Sequence, residues 1–200
     1  MAATGGHWVK GARGSLNFVP SGGPAKRDQT SAFAAHDADI AEWTRLHGKE
    51  MAYIAFGDGT VSELIAGDEN SVSIDELREA AKWRTLQDAV LTHTHPMTTW
   101  GLPVTLSNND IAFAAHSKMA EVRAVALTAS GRVKIYSMKR GPRGWPDWSI
   151  IMSAGNNFLS GLNSQYASGT MSVREWHRAA EAFWQDFAKA WGLTYEERWQ

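Results

Sequence analysis

His93, Thr94, His95 and Pro96, followed by Ser107, Asn108, Asn109 and Asp110, form the stretch of this 200-residue chain whose residue types could hold a metal. The preceding Ala89-Val90-Leu91-Thr92 reads as a buried strand. Residues i and i+2 of a strand point to one face, so the spacing sends His93 and His95 out together. Asp110, near the start of the next expected helix, adds a carboxylate. Two imidazoles and one carboxylate leave the fourth position of a tetrahedral zinc open to water, which separates catalytic zinc centres from closed structural ones. A His-x-His pair alone is weak, because strands put such pairs on one face by chance. Ser107-x-x-Asp110 also reads as a capping box that needs no metal, with Asp110 favouring the positive end of a helix dipole. The two readings are compatible, since Ser107 can cap while Asp110 turns towards a metal.

The elements that must position these residues follow from periodicity and turn chemistry. Residues 1–29, rich in Gly and small polar residues, read as a flexible tail in which Trp8, Phe18 and Val19 could dock as an extended arm, and residues 30–200 read as one domain. A helix is expected from about Ser31 to His47, with Phe33, Ile40, Trp43 and Leu46 on one face. Glu50 to Phe56 and Thr60 to Ala66 read as a hairpin turning at Gly57-Asp58-Gly59, and Ser71 to Ile74 as a further short strand. A helix from Asp75 to about Leu86 leads into the histidine strand, and a loop spans 96–106. A helix over Ser107 to Ala120, strands Val122 to Thr128 and Val133 to Met138, and a loop at 141–146 come next. Ser172 to Trp191 is the clearest helix. It opens on the capping box Ser172/Glu175, carries Trp176, Ala180, Phe183, Phe187 and Trp191 on one stripe, and stops at Gly192. The order of elements predicts an α/β fold, a single mixed domain with a central β-sheet flanked by helices.

Composition narrows the chemistry. Among 200 residues, 44% are hydrophobic, enough to bury a core. With no cysteine there is neither a disulfide framework nor a thiolate ligand, leaving His, Asp and Glu to bind metal. A net charge of −1 gives no bulk attraction to a polyanion. Lys139, Arg140 and Arg143 beside Trp145 and Trp148 read as a solvated loop rather than a nucleic-acid surface. No apolar run is long enough to span a membrane, and the N-terminus lacks a signal-peptide core. His7, His36, His47, His116 and His177 are scattered without ligand spacing. The aromatic stripe of the last helix reads as core.

An upstream Glu at a strand start, then His-x-His-Pro, then Ser-x-x-Asp resembles the pattern of the JAB/JAMM metalloprotein family. In that family the histidines and the Asp bind zinc, the Glu is the general acid/base and the Ser stabilises the oxyanion. By position these roles fall on His93, His95 and Asp110, on Glu50, and on Ser107, with Glu63 as the fallback for Glu50. Segments Lys49–Tyr53, Glu69–Val72, Leu91–Pro96, Asp110–Ala114, Glu121–Val125, Tyr136–Arg140 and Trp184–Tyr195 are similar to JAB/JAMM-type, RadC-like domains at the C-termini of phage head-morphogenesis proteins. The similarity spans about residues 48–196. It implies cytidine deaminase-like layering, a Zn2+ cofactor and hydrolysis of a peptide or isopeptide bond in a protein or peptide substrate. It also implies phage structural proteins as partners, in the bacterial host cytoplasm or on the virion, while the lack of an apolar span and the near-neutral charge argue against a membrane or nucleic acid as partner. The alternative is a non-catalytic accessory or protein-binding module of head morphogenesis. A nuclease using the same metal is disfavoured by the near-neutral charge. The eleven residues 96–106 between His95 and Ser107 exceed the family spacing. Met97 to Leu106 is therefore expected as a mobile flap or a passive surface insertion, with Trp100 its aromatic contact.

Overall fold

Apolar residues occupy both faces of the central strands, forming one buried cluster on each side, so the sheet needs cover on both faces. The computed structural model supplies it as a single α/β domain and describes residues 6–10, 16–20, 29–82 and 84–200. Strands β1 (Gly6–Lys10) and β2 (Leu16–Pro20) pair antiparallel, with Trp8 opposite Phe18. They fall within the expected tail, the rest of which, residues 1–5, 11–15 and 21–28, lies outside the described residues.

Helix α1 (Gln29–His47) leads to β3 (Met51–Ala55), β4 (Ile65–Ala66), α2 (Ile74–Ala81) and β5 (Val90–His95). Then come α3 (Asn108–His116), β6 (Glu121–Leu127), β7 (Val133–Lys139), α4 (Trp148–Ala167), α5 (Val173–Trp191) and β8 (Thr194–Trp199). The six-stranded sheet runs β4-β3-β5-β6-β7-β8, and β5/β6 is its single parallel pair. A parallel pair requires a crossover, and α3 lies in that connection.

Helix α1 packs Phe33, Ile40 and Ala41 against Met51, Tyr53 and Val125 on one face. The other face takes Leu77 of α2, Ile111 of α3, Ile151 of α4 and Trp184 of α5. Asp37 crosses to Arg123 of β6 at 2.5 Å and accepts hydrogen bonds from Tyr53 (3.1 Å) and Arg198 (3.2 Å), so the two charges, each almost without solvent contact, are paired. The buried stripe of α1 is Phe33, His36, Asp37, Ile40, Ala41 and Thr44. The expected Leu46 is 65% exposed. Polar members of the stripe disguised its phase.

Three expected elements are corrected. The strand Thr60–Ala66 is reduced to a bridge at Val61 and β4, because Ser62 turns its hydroxyl onto the Ile54 N–H (2.9 Å) in place of a continuing ladder. Residues 71–73 are not a strand: Ser73 caps α2, accepting from the Asp75 N–H. Helix α2 stops at Ala81, before the expected Leu86, where Lys82 turns left-handed (φ 49°). Elements α4 and β8, like the β1/β2 pair within the expected tail, go beyond the sequence reading. Helix α4 is rich in Gly, Asn and Ser, poor helix formers that blur its period. Gly155 explains one of them, since a Cβ there would sit 2.6 Å from the Cβ of Asn108 and hold α4 away from the start of α3.

Candidate metal centre

The histidines end β5, and alanines make room for them. Register places Ala52 opposite His93 on one side, with Ala124 and Ala126 beside His93 and His95 on the other. Alternation then turns Thr92 and Thr94 to the α1 face. There the Thr94 hydroxyl meets the Thr44 hydroxyl at 2.6 Å and accepts from the Met51 N–H at 2.8 Å, tying α1 and the start of β3 to the strand between the two imidazoles.

His93 Nε2 lies 2.9 Å from His95 Nε2, 3.3 Å from Asp110 Oδ1, and Asp110 Oδ2 is 3.8 Å from His95 Nε2. All three residues can offer a ligand atom within 4.8 Å of the others. Zinc bonds of about 2.0–2.1 Å in a tetrahedron separate ligand atoms by roughly 3.3 Å, so the triangle has the size of a metal's coordination face. His95 Nδ1 donates to the Val104 carbonyl at 2.9 Å, which leaves the lone pair of neutral His95 on Nε2, facing the other two groups. Thus the buried His93-His95-Asp110 group can hold a metal ion.

Asp110 does two jobs. Its Oδ2 accepts the Ser107 N–H (2.7 Å) while Ser107 Oγ accepts the Asp110 N–H (3.2 Å), completing a capping box, and Oδ1 is the oxygen nearest His93. Asn108 fixes the same helix start to α4 by donating to Asn156 Oδ1 at 2.8 Å.

Electrostatics follow from burial and proximity. Burial opposes ionisation of Asp110, but His93, His95 and the Ser107 N–H outweigh it and hold the carboxyl well below the usual range. Burial likewise opposes charge on His93, and the Asp110 and Glu50 carboxylates overcome it, raising the imidazole. Burial and the neighbouring charge of His93 push His95 down to about 4. Glu50 precedes β3, anchored by its N–H to the Asp68 carbonyl (2.7 Å) and by its carbonyl to the Gly67 N–H (2.8 Å). It is 6% exposed, and burial raises its carboxyl to about 7, with Asp110 and Asp68 adding to the rise and His93 opposing it.

Glu50, His93, His95, Ser107 and Asp110 all line one cavity of about 950 Å³. Glu63 does not. It pairs with Lys82 at 2.6 Å on the surface, so the fallback position is remote from the cluster. Sequence reasoning missed Val104, whose carbonyl orients His95, and Trp148 and Met152 of α4, which wall the cavity. The small residues flanking the histidine strand were a usable signal for the space around it. Nothing local in sequence announced the Val104 carbonyl.

The segment Met97–Leu106 is pinned along its length. Gly101 accepts from the Ala129 N–H (3.3 Å), Pro103 accepts from the Tyr136 hydroxyl (3.4 Å), and the Thr105 hydroxyl meets that of Tyr195 at 2.9 Å. Met97 and Thr98 reach the cavity wall, whereas Trp100 packs edge-on to Tyr166 and His177, away from it. Replacing Trp100 with Ala should therefore leave metal affinity unchanged in a chelator-competition titration. A marked weakening would place the ring in contact with the centre. Within the basic cluster Lys139 pairs with Glu196 and Arg140 with Asp88.

Among the described residues no helix is long and apolar enough to cross a membrane. No family model matches the chain, and comparison with characterised proteins and with solved structures returns no match.

Proposed function

We propose that the chain is a zinc-dependent hydrolase of JAB/JAMM type that cleaves a peptide or isopeptide bond in a protein of phage or prophage context. One observation carries the reading: a metal-sized triangle of His93, His95 and Asp110 opens onto the cavity that also buries Glu50. Bound zinc would supply Lewis acidity, polarising a carbonyl and lowering the pKa of water to about 7. Glu50 takes a proton from the attacking water and returns it to the leaving amine. A carboxylate more basic than usual suits both transfers, and burial raises metal-free Glu50 to about 7. Ser107 Oγ accepts the Asp110 N–H, so its own hydrogen remains available to the developing oxyanion. Donors of that kind contribute roughly 3–4 kcal/mol in comparable sites.

The accompanying prediction is near-stoichiometric zinc in protein purified without added metal, lost in His93→Ala and Asp110→Asn. Elemental analysis checks it, and a metal-free wild-type preparation that also fails to take up zinc on titration would refute it. The competing assignment, a non-catalytic head-morphogenesis module, draws on Trp191 and Trp199, which are 37% and 49% exposed at the C-terminal end. That module would keep its partner after the metal is stripped, which a pull-down with phage structural proteins reads directly.

A further inference from the structure

The mouth of the metal cavity is unlike its floor. The floor is polar, with Glu50, His93, His95 and Asp110. At the mouth three elements that start from unrelated parts of the chain each present a large apolar side chain: Ile74 from the first residue of α2, Met97 from the loop after β5, and Trp148 from the first residue of α4. They are 48%, 55% and 51% exposed, although each lines the cavity. Exposed apolar groups that converge on a cavity mark a binding surface rather than chance exposure.

Charge decides what that surface accepts. The cavity carries the carboxylates of Glu50, Glu69 and Asp110 against one guanidinium, Arg78. A divalent ion on the floor brings the total close to neutral, leaving no surplus positive charge for a phosphate or an acidic side chain. The walls behind the mouth, Leu77, Phe113 and Met152, are apolar as well.

We propose that this mouth is a specificity pocket for an uncharged peptide segment bearing a bulky apolar side chain, held while its carbonyl faces the metal. The inference rests on the metal-hydrolase reading, and the test keeps the two apart. Zinc-loaded protein is titrated with N-acetyl-glycine hydroxamate and with N-acetyl-phenylalanine hydroxamate, probes that share a metal-binding head and differ only in the side chain. The expected result is roughly 10- to 100-fold tighter binding of the phenylalanine probe, the scale of burying one aromatic ring. In Trp148→Ala and in Met97→Ala that advantage shrinks, while the glycine probe binds as before. The substituted side chains are half exposed and are not metal ligands, so fold and zinc content stay as in the wild type.

Equal binding of the two probes by zinc-loaded protein overturns the pocket and leaves the metal site standing. So does tighter binding of an N-acetyl-aspartate hydroxamate than of the phenylalanine probe. Equal binding together with a concentration-dependent dimer in sedimentation would assign the apolar mouth to a second copy of the chain, and it too overturns the proposal. Failure of the protein to take up zinc in the loading step overturns the hydrolase reading and the pocket with it.

Discussion

Glu50→Gln should retain zinc at wild-type stoichiometry and lose turnover by about 10²–10⁴-fold. Glutamine keeps the shape and the hydrogen-bonding edge of the buried side chain but cannot carry a proton, and the three candidate ligands are untouched. The paired measurement is elemental analysis beside kcat/KM on a cleavable peptide. Joint loss of metal and activity would make Glu50 a ligand or a structural residue. Glu63→Gln is the control: its side chain sits with Lys82 outside the cavity, so both readouts should match the wild type. The pH profile carries the same information. Without metal, burial raises Glu50 to about 7, and below that pH it holds a proton and cannot act as a base. Activity should therefore fall on the acid side. A cation bound beside Glu50 would stabilise its ionised form, so on the proposed zinc-hydrolase reading the acid limb should lie below 7.

Asp37→Ala should lower stability by about 3–5 kcal/mol, because it removes the nearest partner of the Arg123 guanidinium inside the sheet-helix interface and leaves Glu121, at 3.8 Å, as its remaining carboxylate. Asp37 is fully buried and Arg123 is 3% exposed, and the same carboxylate also receives Tyr53 and Arg198. Arg123 in turn donates to the Thr92 hydroxyl at 3.1 Å, on the strand that carries the histidines. Replacing both partners by apolar residues, as in Asp37→Leu with Arg123→Met, should recover most of the loss, since the buried guanidinium is then removed together with its nearest carboxylate. Urea denaturation at unchanged m-value separates the variants. A single Asp37→Ala variant within 1 kcal/mol of the wild type, a gap smaller than about one tenfold step in the folding equilibrium, would contradict the burial of this pair.

What the sequence made legible was local. The capping boxes at Ser107/Asp110 and Ser172/Glu175 form as their spacing predicts, because each closes within one helical turn. Strand β5 follows from a buried run, β6 and β7 from β-branched runs, and Gly192 ends α5 with φ 71°. The α/β layering is as expected from the order of those elements. Partnership at long range was not legible. Asp37 and Thr44 in α1 look like solvent-facing residues until Arg123 and Thr94 are seen to meet them. Helix α4 has weak intrinsic propensity and is held by packing on α3 and α5, which no window of its own sequence reports. The cluster of His93, His95 and Asp110 was readable because strand alternation and a helix start are local rules. The Val104 carbonyl and the apolar mouth were not, because they depend on a loop path and on α4.

The division of labour within the Asp110 carboxylate bears on ion selectivity. One oxygen accepts the Ser107 N–H at the helix start, which favours the other, the oxygen nearer His93, as the donor to a cation. Calcium favours six to eight oxygens, often through carboxylates that chelate with both, and magnesium keeps an octahedral shell of hard oxygen donors. Two nitrogens and one monodentate oxygen satisfy neither. They suit borderline ions such as zinc, cobalt, nickel or copper, so cellular availability and geometry, rather than carboxylate count, would decide which ion the group holds.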